Sequence, residues 1–458
     1  METKLGGVSI MILKRKIEAK LNDWLESKYG LLMYGPRQVG KTYILNKFIG
    51  EHFSSHCYIN LYDNVDAITT IINAKDSKDF ILRISSLSDS LLSKGGCIFI
   101  DEIQEYYSYL ERHKEIEKYF DLLTGIKFIV DNDEYKIVYS GSLLRLELSN
   151  VISNPVGYVL PLELYPLDFE EFLWANNVNQ ELIDIARDSF LKQEVIPDYI
   201  HNKFMDLFKK YILVGGMPQA VSEFIDKNSF VAVENAHKAI DYFIRADITK
   251  YANDNEKLKI KEVYNLIPTE LNSISKRFIF SHIEGHQKNE NESLSFTWLN
   301  DAGVTIPVYI ADEPSIPLKI SSKRNQLKLF HEDVGILTYL FADSNLKIQL
   351  LNNDIDINYG AVYENAVAEL LRAHGFDELY YYNNKKNGEV DFLVEKNGRV
   401  IPLEIKSGKN YKRHKALNNL LGVKNYNIKV GYVFHNDNLK IKDNVLYFPI
   451  YTIDFLNK

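Results

Sequence analysis

LLMYGPRQVGKTYIL, residues 31–45, decides how the rest of the chain is read. Leu31 to Tyr34 is a short apolar strand, and the residues after Lys41 favour a helix. Between them, Gly35-Pro36-Arg37-Gln38-Val39-Gly40-Lys41-Thr42 fits G-x-x-x-x-G-K-[ST], a phosphate-binding loop in the strand–loop–helix context it needs. Gly35 and Gly40 let the backbone turn tightly with its N–H groups aimed at phosphate oxygens. The helix start adds partial positive charge at the same place. Lys41 would reach the β- and γ-phosphates of ATP, and the Thr42 hydroxyl would ligate Mg²⁺. A glycine turn with a chance lysine is the bland alternative; the flanking strand and helix weigh against it.

With 458 residues the chain has room for about two to four domains. Hydrophobic residues make up 46% and charged residues 25%, an ordinary globular balance. A formal net charge of −8 excludes a chain that is basic throughout, so a nucleic-acid partner would need a local basic patch. Cys57 and Cys97 lie in apolar runs without metal spacing and read as small core residues in a reducing compartment. No apolar run reaches membrane-spanning length and the first residues lack a secretory signal, so the expectation is a cytoplasmic protein with no membrane partner.

Lys14 to Glu26 has the spacing of an amphipathic helix, with Ile17, Leu21 and Leu25 on one face. His56 to Leu61 reads as a strand and Phe80 to Leu92 as a helix. Cys97-Ile98-Phe99-Ile100-Asp101-Glu102 is continuously apolar until its two acids, the pattern of a parallel strand buried on both faces. In open α/β sheets, ligands bind at the carboxyl ends of such strands. Asp101 is therefore the candidate for holding Mg²⁺, and Glu102 for activating the attacking water. Solvated acids at a strand end are the alternative, disfavoured by the loop upstream. Lys136 to Tyr139 forms a further strand, and Ser142 just beyond it is placed to sense the γ-phosphate or the lytic water.

GPRQVGKT, FIDEIQ (residues 99–104), YSGSLL (139–144) and YPLDFEEFL (165–173) together resemble the prokaryotic AAA+-type P-loop ATPases that carry a characteristic C-terminal domain. The resemblance spans nearly the whole chain. It implies a parallel five-stranded core with a helical lid. Many relatives show Gly-Arg shortly before the PLxFxEF stretch, whereas here Gly157 is followed by Tyr158, so no arginine finger is placed. Pro155 to Pro166 reads as a connector. Asp168 to Trp174, Asp206 to Val214 and Gln219 to Ile225 read as helices. Gly215-Gly216-Met217-Pro218 terminates one of them, with glycine supplying positive φ and proline preventing continuation. In the family, GGxP marks the lid.

Lys259 to Leu266 and Pro268 to Ser273 read as short helices, Trp298 to Gly303 as a helix end and Val304 to Ile310 as a strand. Short helices followed by strands suggest a winged helix, a unit that docks on DNA or serves as a protein interface. Lys319, Lys323, Arg324 and Lys328 would then meet phosphates or form a solvated face.

Tyr363 to His374 reads as a helix with Glu364 near its start. EVDFLVE (389–395) and RVIPLEIK (399–406) alternate as strands around Asn397-Gly398, a strong hairpin signal. With Lys396 and Arg399 flanking the turn, counting back sets Asp391 opposite Glu404 and puts Glu404 and Lys406 on one face. Opposed carboxylates destabilise a sheet unless a cation offsets them. A bridging divalent cation would do so, with Lys406 near enough to stabilise an oxyanion or position a water. This D…E-x-K set, with Glu364 as a further acid, resembles the PD-(D/E)xK nuclease fold. Lys409, Lys412, Arg413, His414 and Lys415 follow, a basic cluster that suits a nucleic-acid backbone or solvent.

The expected architecture is α/β: a P-loop NTPase parallel-sheet core at 11–165, a helical lid at 166–255, a winged-helix-like domain at 256–345 and a restriction-endonuclease-like domain at 352–458. The expected function is ATP hydrolysis with Mg²⁺ coupled to DNA or RNA handling. The alternative is a nucleotide-dependent switch on a protein partner. Lys41, Asp101, Glu102, Ser142 and Lys406 are the catalytic candidates, and Gly35 to Thr42 the nucleotide-binding ones. Thr42, Asp101, Glu364, Asp391 and Glu404 are the metal candidates. The AAA+ resemblance further implies self-association, in which a neighbour supplies an arginine.

Overall fold

The computed structural model describes residues 2–5, 8–11, 13–62, 64–88, 92–132, 134–142, 157–252, 256–273, 275–283, 293–352 and 360–457. They divide into two units, one of residues 15–165 with 301–303, the other of the remainder.

The first unit is built on five strands in the order His56–Asn60, Cys97–Asp101, Lys136–Gly141, Gly30–Tyr34, Val159–Glu163, every adjacent pair parallel. Leu32, Ile59, Ile100 and Tyr139 point into one apolar layer, Leu31, Met33, Phe99 and Val138 into the other. Both faces are thus apolar, which is why consecutive positions of these strands are hydrophobic. Cys57 and Cys97 are free and buried in those layers. The first helix, Ile17–Leu25, buries Ile17, Leu21 and Trp24, so tryptophan rather than Leu25 is its third anchor. The helix expected from Phe80 starts earlier, at Ser77, because Asp76 caps it by accepting from the Lys78 and Asp79 amides. It is described to Leu87; residues 89–91 of the expected span lie outside the described residues. The presumed connector holds the fifth strand, Val159–Glu163. That strand is an edge, where Pro161 is tolerated because it cannot donate to a ladder. The start of that connector, Pro155, lies outside the described residues.

The second unit combines helices with an eight-stranded mixed sheet. Its order is Lys440–Lys442, Val445–Pro449, Gly431–His435, Arg399–Ile405, Gly388–Lys396, Leu379–Asn384, Thr305–Ala311, Ser322–His331. The hairpin has the counted register: Lys396 pairs with Arg399 and Phe392 with Leu403. Asn397 and Gly398 both have positive φ, 50° and 69°, as the favoured two-residue turn requires.

Three expectations are corrected here. The strand pair assigned to a separate winged domain closes one end of the C-terminal sheet, with Thr305–Ala311 running parallel to Leu379–Asn384. Local signals located the first of those strands but carried no information about a partner some seventy residues on. Lys257–Asn272 is one helix with Pro268 inside it, not two. The helices assigned to a separate lid are bonded into this unit. Tyr211 Oη donates to Glu369 Oε1 at 2.8 Å, and Asp333 Oδ2 accepts from the Gly216 amide at 2.7 Å. The paired glycines have a packing reason as well as a turn reason. A side chain on Gly215 (φ 75°) would meet the Asp333 carboxylate, and one on Gly216 the Leu167 carbonyl.

Candidate nucleotide site and C-terminal acid cluster

The loop leaves the strand Gly30–Tyr34 at Gly35, whose φ of 145° is open to glycine, and a methyl group there would collide with the Leu164 carbonyl. Gly40, left-handed at φ 98°, is the N-cap of the helix Lys41–His52. Between them Gln38 also takes positive φ, Val39 is fully buried, and Arg37 lies over the Tyr62 ring at 5.3 Å. Lys41 is buried, and its Nζ donates to the Gly35 and Pro36 carbonyls at 3.0 and 2.8 Å.

Two signals far apart in sequence meet next. Thr42 Oγ1 donates to Asp101 Oδ2 at 2.6 Å. Asp101 is fully buried at the end of its strand, and also accepts from Tyr58 Oη at 3.2 Å and from Ser140 Oγ. Burial and the neighbouring Glu102 charge raise the Asp101 pKa, while Ser140, Thr42 and Lys41 pull the other way. Glu102 follows with φ 57°, a left-handed residue at the strand end, and Gln104 Nε2 donates to its Oε2. Ser142 is buried at the bend after the strand Lys136–Gly141, but the hydroxyl that reaches Asp101 from that strand is Ser140's. Sequence reading missed Ser140, Tyr58 and Gln104. Strand alternation pointed to the first two, because residues at the carboxyl ends of adjacent parallel strands converge.

Residues 27–173 match the family described as AAA domain. The first unit is thus similar to AAA-type P-loop domains. Beyond it the chain matches two families described as domains of unknown function, DUF8612 at residues 205–348 and DUF4143 at 359–453. The first of these runs across the boundary expected near residue 255. The chain is 26% identical over 404 residues to the uncharacterised protein MJ1544 of Methanocaldococcus jannaschii, covering 84% of this chain and 75% of that one. Similar solved structures include the Walker-type ATPase PABY2304 of Pyrococcus abyssi, 14% identical, covering 72% of this chain and 96% of that one at a TM-score of 0.40. The Thermotoga maritima RuvB Holliday junction branch migration motor is 15% identical, covering 67% and 91% at a TM-score of 0.29.

In the second unit, one step beyond the pair Phe392–Leu403 sets Asp391 beside Glu404. Asp391 Oδ2 accepts from the Ile405 amide at 2.8 Å, and Lys406 Nζ binds Glu404 Oε1 at 2.6 Å. Glu404 Oε2 is buried with no hydrogen-bond partner. Burial, then the Asp391 charge, pushes the Glu404 pKa up to about 8 against the pull of Lys406. Burial disfavours the Lys406 charge, yet Glu404 and Asp391 hold its pKa above the usual lysine value.

Glu364, buried on the helix Gly360–Ala373, is coupled to the same acids: burial and Asp391 raise its pKa, Lys328 and Lys276 oppose. Both its oxygens are held by lysine, Oε1 by Lys276 and Oε2 by Lys328 at 3.4 Å. Of the expected metal trio, Glu364 is ion-paired through both oxygens and Glu404 through Oε1, while Glu404 Oε2 and Asp391 keep donor capacity. Among the described residues, three ligand atoms of His, Cys, Asp or Glu converge within 4.8 Å at Asp168, His374 and Asp454 instead. There His374 Nε2 lies 2.9 Å from Asp454 Oδ1, and the other carboxylate oxygens accept from the Glu170 and Glu171 amides.

The basic residues are also re-sorted. Lys328 is fully buried and binds Glu389 at 2.8 Å, so it neither meets a phosphate nor joins a solvated face. Lys319 and Arg324 both pair with Glu378, at 3.1 Å each. His414 is buried and shares a 2.7 Å hydrogen bond with Tyr447 Oη, whereas Lys409, Lys412, Arg413 and Lys415 are exposed. A lysine between Leu327 and Leu329 in an apolar run was the signal for Lys328. Lys276, from a loop, offered none. Among the described residues no helix is long and apolar enough to cross a membrane.

Proposed function

We propose that this chain hydrolyses ATP with Mg²⁺ and couples the cycle to nucleic-acid handling by its C-terminal half. The observation that carries the hydrolytic reading is the 2.6 Å contact of Thr42 and Asp101 beside the left-handed Glu102. Thr42 and Asp101 are a hydroxyl and a carboxylate at one point, an all-oxygen donor pair suited to Mg²⁺. When bound there, Mg²⁺ would neutralise charge on the phosphates. Lys41 would release the Gly35 and Pro36 carbonyls and meet phosphate oxygens instead. Glu102, oriented by Gln104, would accept a proton from the attacking water. Ser142 would sense the γ-phosphate. Gly157-Tyr158 leads into the edge strand without an arginine, so a neighbouring copy would supply one, and sedimentation with a slowly hydrolysed ATP analogue tests this.

For the C-terminal half, Asp391 and Glu404 fit a divalent cation on the buried, unpartnered Glu404 Oε2. Lys406 would then position a phosphodiester or a water. The lysines on Glu364 favour the second reading, in which this half is a non-catalytic scaffold for a protein partner. Phosphate release from ATP by the purified chain with Mg²⁺, and its loss in Lys41→Ala, tests the first claim; equal ATP-hydrolysis rates in both would overturn it. Filter binding of DNA and RNA across a salt series, with and without ATP, decides between the two readings. No salt-dependent retention favours the scaffold.

A further inference from the structure

Glu364 is held by two lysines that differ in how easily they could leave. Lys328, on the strand Ser322–His331, is fully buried and is bound a second time by Glu389. Lys276 lies in the segment after the helix Lys257–Asn272, its side chain 23% exposed, and Glu364 is its acidic partner. Its backbone is left-handed at φ 48°, held where its amide donates to Ser273 Oγ at 3.1 Å. Two residues on, the Phe278 amide donates to the Leu327 carbonyl at 2.9 Å, which lays this segment along the strand that carries Lys328.

Formally, Glu364, Glu389, Asp391 and Glu404 face Lys276, Arg277, Lys328 and Lys406, four acids against four cations. A dication added to that balanced set leaves excess buried positive charge, which is strongly disfavoured. Withdrawal of one of the four side-chain cations halves that excess, from two charges to one, and so favours entry of a cation at Asp391 and Glu404. Lys276 is the more exposed of the two on Glu364, has a loop backbone and, among the described residues, pairs with no second carboxylate. Lys406 is the partner of Glu404 itself, Lys328 is fully buried, and Arg277, though more exposed, lies 4.0 Å from Glu389 rather than on Glu364.

We propose that Lys276 is the exchangeable counter-ion of this site: a divalent cation binds at Asp391 and Glu404 as Lys276 leaves Glu364. The segment carrying Lys276 thereby controls metal occupancy of the C-terminal half. This rests on the reading of Asp391 and Glu404 as a metal site and adds the residue that competes with the metal.

The test uses the full-length, nucleotide-free chain stripped with EDTA. Mn²⁺ binding is measured by loss of the free Mn²⁺ EPR signal, with Asp391→Asn in each background to subtract Mn²⁺ bound elsewhere. Lys276→Met and Lys276→Gln should each tighten the Asp391-dependent affinity by about tenfold or more, because a nearby like charge is removed. Lys276→Arg keeps the charge and should stay within about twofold of the wild-type chain, a change smaller than the removal of a neighbouring charge produces. Equal affinity in the wild type and both neutral variants overturns the exchange while leaving the metal site standing. Absence of Asp391-dependent binding in both neutral variants overturns the exchange and the metal site together.

Discussion

Thr42 Oγ1 and Asp101 Oδ2 lie 2.6 Å apart, joining the residue after the loop lysine to the acid that ends the third strand of the chain's parallel sheet. The contact divides labour within the site. On the proposed hydrolysis, Lys41 would be on the ground-state side, where it would meet phosphate charge, and Glu102 would act on the water in the transition state.

Lys41→Ala should therefore weaken nucleotide binding by about tenfold or more, from loss of a charge-assisted contact. Glu102→Gln should bind nucleotide normally and lower kcat by about a hundredfold or more, the usual contribution of a general base. Fluorescent-nucleotide titration and phosphate release, run on both variants, separate the two effects. Normal turnover in Glu102→Gln would remove that residue from its assigned role.

The candidate nucleotide site and the C-terminal hairpin were legible because their signals are local: for the first a glycine loop and a continuous apolar strand ending in acids, for the second a two-residue turn at Asn397-Gly398. Each depends on backbone geometry within a few residues, and each lies where the pattern placed it. Partnership over long separations was not legible. Thr305–Ala311 could be read as a strand, but nothing local said that it would pair with Leu379–Asn384. The same limit hid Lys276 and Lys328. A charge's counter-ion is a property of the tertiary fold, so acids that looked like a metal trio proved to be partly matched by lysine.

Gly335 gives a stability prediction. A methyl group there would run into the Val214 carbonyl and approach the Gly215 amide at 2.6 Å, both backbone atoms that cannot rotate away. Gly335→Ala should cost about 1–3 kcal/mol through overpacking and lower the thermal midpoint. Gly50, inside the helix Lys41–His52, has nothing within 4 Å of a new Cβ. Gly50→Ala should stabilise by about 0.5–1 kcal/mol through helix propensity. Thermal unfolding of the two variants side by side checks both signs.

Lys347 gives a pH prediction. Burial lowers its pKa to about 7, although Asp333 and Glu234 resist. Its Nζ sits 2.9 Å from the Leu213 carbonyl and 3.3 Å from His237 Nδ1. From pH 7 upward the folded amine is neutral, while in the unfolded chain it stays protonated to about pH 10.4. Unfolding then takes up a proton, so this residue's contribution makes stability rise with pH from about 7 to 10 and is most unfavourable below 7. Thermal midpoints at pH 7, 8 and 9 should climb more steeply in the wild-type chain than in Lys347→Met. Parallel slopes would show that Lys347 is charged in the folded state.

Lys328 and Glu364 test how the C-terminal cluster is held together. Lys328 is fully buried between Glu364 at 3.4 Å and Glu389 at 2.8 Å. Burial works against its charge, but Glu364, Glu389 and Asp391 together hold its pKa above the usual lysine value. Removing the cation alone strands buried carboxylates, so Lys328→Met should destabilise by about 3–5 kcal/mol. Neutralising the acid as well removes part of that penalty. Lys328→Met with Glu364→Gln should therefore be more stable than Lys328→Met alone, although Glu364→Gln by itself also destabilises. The coupling is read from denaturant midpoints of the four chains in a double-mutant cycle. Additive losses would mean that Glu364 and Lys328 do not share an ion pair, and the charge balance argued for this cluster would fail with them.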